Sequence, residues 1–363
     1  MTAKSRSQAG NKQLPWRMAA IIFVVLILLD LSSGCGRFLL KRYELYVTGP
    51  FDTVTTALIV ADSQENFDHY RDIIESELWR YHHLYNIYND SPDGTNLKTV
   101  NDRAGGPVDC SAELCDLVVY GVDVYDRTAG RVNIAMGSVL KLWHDARMTA
   151  NLSPDEAHLP EQEVLAKAAA HISIRDVIVD CEAGTVELSD PAMSLDVGAI
   201  AKGFAVERIA VKLEAEGLCS GVLDVGGNVR SIGLNQVTGK PWRIGIRNPD
   251  NSPAVELLDK VNVTGQSVVT SGNYERSFKF NGILHSHIID PDTLCPANFH
   301  DAVTVIAPDS ATADSLSTAL MLMSVDDGNE LLKTFQGCEA MWVTDGDCQV
   351  SSGFRVYRTK SQG

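Results

Sequence analysis

The sequence predicts an α+β fold, with mixed and antiparallel sheets and packed helices, and three observations lead there. Runs rich in β-branched residues mix with amphipathic helical stretches, without the regular strand–helix alternation of a doubly wound sheet. Apolar residues make up 45% and charged residues 21% of 363, enough apolar surface for a large core and too few charges for a disordered chain. No repeat and no low-complexity linker interrupts the chain after its first 35 residues. The simplest division is a leader over residues 1–35 and one domain over residues 36–363, in one piece or as two subdomains.

The leader carries an export pattern. Lys4, Arg6, Lys12 and Arg17 precede the apolar run AAIIFVVLILL, which is short for a bilayer span. DLSSGC follows, with small residues directly before Cys35. That arrangement resembles the lipobox of bacterial lipoproteins, whose cysteine thiol receives lipid, although Asp30 and Ser32 depart from it. An uncleaved anchor and an ordinary signal are the alternatives. All three readings expect the rest of the chain outside the cytoplasm, attached to the cell membrane.

Charge and cysteines narrow the function classes. A net charge of −16, from 31 basic and 47 acidic residues, argues against a nucleic-acid binder, which needs a basic face to replace phosphate counterions. Seven cysteines follow Cys35 without Cys-x-x-Cys spacing, which fits neither a disulfide framework nor a zinc ribbon. Near the C-terminus, Asp345-Gly346 reads as a hairpin turn that sets Cys348 opposite Val343 and away from Cys338. Buried thiols are therefore expected.

Taken in order, FDTVTTALIVAD reads as a strand. A helix should follow from about Asp62, with Glu65 as capping-box partner and Phe67, Tyr70, Ile74, Leu78 and Tyr81 as its apolar stripe. Residues 86–107 are polar and turn-rich, the composition of a surface loop. The next helix starts near Ser111 and buries Leu114, Leu117, Val118, Val122 and Tyr125. GRVNIAMGSVLKLWHDAR reads as a short strand or turn and then a helical turn, and a helix over residues 160–172 leads into the hairpin DVIVDCEAGTVELS. GVLDVGGNVRSIG reads as strand, Gly-Gly turn and strand, and WRIGIR, SVVTSG and HSHIID are strand-like. A capped helix, DSATADSLSTALMLMS, precedes the final hairpin.

Four stretches could carry chemistry. In MSLDVGAIAKGFAVERIA, Asp196 ends an apolar run, Gly198 and Gly203 allow close backbone approach, and a helix begins near Ala201. The helix N-terminus and Lys202 suit a phosphate, although the Gly-x-x-x-x-Gly-Lys spacing of a P-loop is missing and a tight turn with a solvated lysine reads the same way. In HSHIIDPDTLCP, His285 and His287 alternate on a strand and share a face. Such a pair can be part of a metal site, a base or ligand contact, or surface histidines beside an Asp-Pro turn. In the last helix Asp314 and Thr318 lie four residues apart on one face, hard oxygen donors of the kind magnesium takes, at a spacing ordinary helices also show. TSGNYERSF and DVGGN supply small residues and backbone donors that could line a pocket.

LDVGAIAKGFAVE, LDVGGN, TSGNYER, HSHIIDP and ADSLSTALM, in this order over residues 50–345, resemble the successive blocks of the FAD:protein FMN transferases, the ApbE flavin transferase family. The resemblance implies an enzyme that binds FAD as substrate, uses Mg2+, and moves FMN onto a threonine or serine of an exported acceptor protein while AMP leaves. By motif alignment it implies that Asp196, Lys202 and Ile288 contact FAD, the last through its backbone. It implies that Asp314, Thr318 and the Ala199 carbonyl hold magnesium, and that His287 is a base for the acceptor hydroxyl. Two further FAD-contacting blocks align on residues 51–53 and 131–133, which places Phe51, Val132 and Asn133 at the flavin site. Both blocks depart from the family pattern, FDT standing for Met-Gly-Thr and RVN for Ala-Phe-Asp, and Asn273 stands where the family often has aspartate. A membrane electron-transfer subunit is the kind of acceptor this location implies. Hydrolysis of FAD to FMN and AMP by the same site, and flavin binding without catalysis, are the competing functions.

Overall fold

Period-two alternation of apolar side chains builds an antiparallel sheet that is covered on both faces. The computed structural model describes residues 40–250 and 256–359, so the leader, with Cys35, lies outside the described residues. The chain opens with β1 (Lys41–Thr48), β2 (Val54–Ala61), α1 (Gln64–Leu84), α2 (Leu97–Asp102), β3 (Pro107–Asp109), α3 (Ala112–Arg127), α4 (Gly137–Leu152) and α5 (Gln162–Ala168). A hairpin of β4 (Val177–Asp180) and β5 (Thr185–Leu188) leads to α6 (Ala201–Ala215), β6 (Gly221–Val225), β7 (Asn228–Ile232), β8 (Trp242–Arg247) and β9 (Leu257–Val263). Then come β10 (Ser267–Gly272), β11 (Phe278–Phe280), β12 (Ile283–His285), β13 (Ala302–Ala307), α7 (Ser310–Met321), α8 (Val325–Leu332), β14 (Glu339–Thr344) and β15 (Asp347–Val350).

The main sheet has eight strands in the order β1-β2-β6-β7-β10-β13-β14-β15, every neighbouring pair antiparallel. In β13, Val303, Val305 and Ala307 face α7, while Ala302 and Ile306 join Trp242, Val261 and Phe354 on the opposite side. Toward β1 the helical layer is α1 and α6, with Ile74, Leu78, Val206 and Ile209 packed over Ala57 and Ile59. β3, β5 and β4 form a small sheet of their own beneath α3. This is the expected α+β architecture, and α6 and α7 meet side by side on it.

Local physics explains where the elements differ from the sequence reading. The strand expected from Phe51 starts at Val54, because Phe51 and Asp52 sit in a 3-10 turn at φ 56° and 53°, backbone no strand adopts. β1, which precedes it, is half-exposed at its edge and shows only a faint apolar alternation. Ser63, not Asp62, caps α1 by accepting from the Asn66 N–H (3.2 Å), so the Glu65 capping box does not form. Inside the stretch read as a surface loop, Asn96 and Thr99 form a reciprocal cap for α2, whose Leu97 and Val100 are buried. α4 runs 16 residues, well beyond one turn, and buries Val139, Trp143 and Ala146. The strand expected at HSHIID ends at His285.

The final hairpin has the expected register, with Cys348 opposite Val343. The thiols are less buried than expected: Cys115 and Cys338 are enclosed, whereas Cys181, Cys219 and Cys348 are exposed. Among the described residues no helix is long and apolar enough to cross a membrane.

Candidate active site

The site grows from the junction of α6 and α7. The segment ahead of α6 is a loop rather than a strand, tied to its neighbours by one parallel bridge from Ser194 to Met136. Asn101 clamps this loop from α2, its side-chain oxygen accepting from the Leu195 N–H (2.7 Å) and its amide donating to the Leu195 carbonyl (2.9 Å). The Asp196 N–H donates to the Ile134 carbonyl (2.8 Å), and the Asp196 carboxylate accepts from the Gly198 N–H (2.8 Å). Burial raises the Asp196 carboxyl above the usual range, and the Gly198 bond offsets part of that rise.

One amide joins the two helices. In an unbroken helix the Gly203 N–H would return to the carbonyl four residues back, that of Ala199. Instead it donates to Asp314 Oδ2 of α7 (2.8 Å). A side chain at position 203 would not fit this approach, since a Cβ there would lie 2.4 Å from both Asp314 Cβ and the Ser310 carbonyl oxygen. Asn228 of β7 reaches Asp314 Oδ1 from the sheet (3.4 Å), and its own side-chain oxygen is buried without a partner. Burial raises the Asp314 carboxyl, and the nearby Lys202 ammonium opposes that shift most. Lys202 reaches the Gly226 carbonyl at 3.5 Å, over the Gly-Gly turn that the sequence predicted, where both glycines take positive φ.

A cavity of ≈ 280 Å³ opens over this junction, just under the usual range of small-molecule sites. Its wall contains all ten residues that the family resemblance assigns to the site: Phe51, Val132, Asn133, Asp196, Ala199, Lys202, His287, Ile288, Asp314 and Thr318. Thr270, Ser271 and Gly272 at the end of β10 line it too. His285 does not; it stacks on Phe278 at 5.2 Å, next to Trp143 at 6.1 Å. His287 turns inward, with Nδ1 buried and without a partner. Burial, then the positive charges of Arg276, Arg147 and Lys202, push its pKa down to about 4, so the ring is neutral at physiological pH.

Several of these residues already spend their polar groups on the fold. The Asn133 side chain accepts from the Ala135 N–H (2.9 Å) and donates to the Ile172 carbonyl (3.0 Å). The Ile288 N–H donates to Ser286 Oγ (3.1 Å) and its carbonyl accepts from the Ala297 N–H (2.9 Å). Phe51 donates its N–H to His82 Nδ1 (3.0 Å) and accepts at its carbonyl from Arg276 (3.4 Å). Asn273 is not in the wall; it donates to the Asp301 carboxylate (3.2 Å), where an aspartate would set two carboxylates against each other.

The sequence reading missed a basic and aromatic rim. Tyr88 stacks on His144 (5.0 Å), Arg147 donates to the Arg276 carbonyl (3.0 Å), and all four line the cavity. Tyr88 lay hidden in the stretch taken for a loop, and Arg147 in a helix longer than the pattern indicated. Among the described residues no three His, Cys, Asp or Glu side chains gather as a metal centre. A buried carboxylate, the Thr318 hydroxyl one turn on and the Ala199 carbonyl are hard oxygen donors, of the chemistry that would suit a magnesium ion.

Comparison with known proteins identifies the family. The ApbE family model matches residues 51–342. A FAD:protein FMN transferase of Treponema pallidum is 34% identical over 265 residues, which cover 69% of this chain and 71% of that protein. One of Klebsiella pneumoniae is 34% identical over 252 residues, 69% of this chain and 75% of its own length. The crystal structure of the ApbE protein from Thermotoga maritima superposes with a TM-score of 0.76 at 27% identity, covering 88% of this chain and 100% of that one. In sequence and in fold, the chain belongs to the ApbE family.

Proposed function

We propose that this protein transfers FMN from FAD to a threonine or serine hydroxyl of an acceptor protein, with AMP as the leaving group. The observation that carries the reading is the convergence of ten residues, spread from Phe51 to Thr318, on one cavity. Transfer forms a bond between the acceptor oxygen and the FMN phosphorus and breaks the bridge to the AMP phosphate. Negative charge builds on the bridging and outer oxygens as that happens. Lys202 and the positive N-terminal end of α6 lie on the cavity wall where that charge develops.

His287 is the base. Its ring is neutral, and its enclosed Nδ1 has no competing partner, so it can take the hydroxyl proton. Asp196 holds the flavin nucleotide from the turn ahead of α6. Asp314, Thr318 and the Ala199 carbonyl would hold Mg2+. That ion, when bound, supplies Lewis-acid stabilisation of the phosphate oxygens. The acceptor is an exported protein, and the leader attaches this chain to the outer side of the cell membrane through lipid on Cys35 or an anchor. Small residues before Cys35 support that placement.

Incubation of the full chain with FAD, Mg2+ and candidate exported proteins, followed by mass spectrometry, tests the reading. A covalent FMN adduct on an acceptor hydroxyl together with free AMP is expected. Free FMN and AMP without an adduct would replace the transferase with an FAD pyrophosphatase, and bound FAD without AMP release would leave a flavin-binding protein.

A further inference from the structure

A second tie holds α6 against α7, one helical turn from the Gly203–Asp314 bond. Four residues beyond Gly203, the Glu207 carboxylate accepts at Oε2 from the Ser310 N–H (2.8 Å), and Ser310 lies four residues before Asp314. As α6 advances α7 retreats, so the helices run antiparallel through this contact. Ser310 is the first residue of α7, where the opening N–H groups have no partner within the helix. Asp309 satisfies one by accepting from the Thr312 N–H (2.7 Å), and Glu207 reaches across from α6 for another. The same Glu207 oxygen accepts from Arg230 Nε (2.9 Å), and its other oxygen from Arg230 Nη2 (3.2 Å). Arg230 and Asn228 alternate with Val229 along β7, so one face of that strand supports both ties, Asn228 at Asp314 and Arg230 at Glu207. The Glu207 and Arg230 side chains are only 18% and 7% exposed, so water screens their contact little, and neither lines the cavity.

We propose that Glu207 is a positioning residue whose bond to Ser310 sets the register of α7 on α6. Through that register it places Asp314 and Thr318 relative to Lys202 and the Ala199 carbonyl, a role that rests on the functional reading above. The tie at Gly203 fixes one point of α7 and leaves the helix free to pivot there. Ser310 and Thr318 stand four residues to either side of Asp314, roughly 6 Å each way along the axis. A pivot about Asp314 that carries Ser310 away from Glu207 therefore swings Thr318 by a similar amount. Groups that orient metal ligands in this way typically cost about ten- to a hundredfold in metal affinity when they are lost. Reach decides the Ser310 bond, because its donor belongs to the backbone and cannot follow a shorter acid. The Arg230 guanidinium sits on a long side chain and can follow one. Glu207→Asp thus keeps the charge beside Arg230 and gives up Ser310, whereas Glu207→Gln keeps the length and one acceptor oxygen.

Hydrogen–deuterium exchange of the full chain, without FAD or Mg2+, reads the register through peptic peptides. In Glu207→Asp, exchange over residues 200–206 and 311–318 should rise by roughly tenfold or more, while β13 and β14 keep wild-type rates. Ser310→Pro should give the same pattern. It deletes the donor at a first helical position, where proline is accepted, and follows an Asp309 whose backbone is already extended. Glu207→Gln should stay near wild type, as should Glu214→Gln, which removes the other acid near Arg230 (3.6 Å) and leaves the Ser310 bond in place. In titrations of AMP release, Glu207→Asp should need about tenfold more Mg2+ for half-maximal rate, with the KM for FAD unchanged. Wild-type exchange in Glu207→Asp, faster exchange spread evenly over every core peptide, or Glu207→Gln matching Glu207→Asp would overturn the proposal. An unmoved Mg2+ midpoint would overturn it too. A wild-type chain that releases no AMP would instead count against the functional reading, and the exchange comparison would stand by itself.

Discussion

The two ends of the cavity are built by different means. At the α6–α7 end the polar groups sit where two helices touch, Gly203 against Asp314, with no room for one extra carbon. At the other end, Phe51, Asp52 and Arg276 hold left-handed backbone at φ 56°, 53° and 44°, joined by a 3.4 Å bond from Arg276 to the Phe51 carbonyl. The tight end carries Lys202, Asp314 and Thr318, which match the family blocks, and the loop end carries the FDT departure. A helix junction at van der Waals contact admits few substitutions, because any added volume moves both helices. Loops absorb changes locally, so they can vary while the reacting end stays fixed.

Substitutions at the two ends can break or sharpen this contrast. Asp314→Ala should lower Mg2+-dependent AMP release by roughly a thousandfold or more while the far-ultraviolet spectrum stays folded. Wild-type rates in that variant would remove Asp314 from the metal site. His287→Gln, on the cavity wall between the two ends, should cost about a hundredfold in transfer with FAD binding retained, as loss of a general base does. An unchanged rate would assign the proton to another group.

The same variant has a pH signature. The His287 pKa is pushed from 6.5 down to about 4 in the folded protein, so between those values the unfolded chain binds the extra proton. Stability contributed by the neutral ring is complete above pH 6.5 and is lost as pH falls toward 4, by roughly 3 kcal/mol at most. Asp196 and Asp314, both shifted upward by burial, tilt the curve the other way. The difference between wild type and His287→Gln in urea melts isolates the histidine, and parallel curves would contradict the shift.

Smaller effects separate the ends further. Gly203→Ala should cost about 2 kcal/mol in stability and roughly ten- to a hundredfold in rate, because the helices must part to admit the Cβ. Phe51→Gly should relieve the left-handed backbone and leave stability within about 1 kcal/mol, while FAD affinity falls a few-fold. If Phe51→Gly proved the more damaging of the two, the division into a rigid and an adaptable end would be wrong.

The Asp314–Thr318 pair was legible in the sequence because helical spacing alone puts both on one face, and Cys348 opposite Val343 followed from turn length. The short apolar run that ends at Asp196 has the pattern of a strand, yet it forms a loop. Its real position depends on Asn101 and Ile134, partners distant in sequence that no local pattern reveals. α2 escaped notice because six residues with two buried apolar side chains make no periodic signal among so many turn formers. Tyr88 lies in a loop, as expected, and Arg147 near the end of α4, so no periodic signal marked either as a site residue. Helical spacing put Asp314 and Thr318 on one face, the family resemblance gave them a role, and long-range hydrogen bonding decided the rest.

The Gly203 amide gives the molecule a built-in spectroscopic handle. Its proton points at one oxygen of Asp314, the carboxylate proposed as a metal ligand, so its resonance follows the charge and orientation of that carboxylate. Glycine labelled with ¹⁵N would report on this position in the intact protein, with no dye attached and no substitution made. Titration with Mg2+ and FAD would then follow the loading of the helix junction directly, before any acceptor is known.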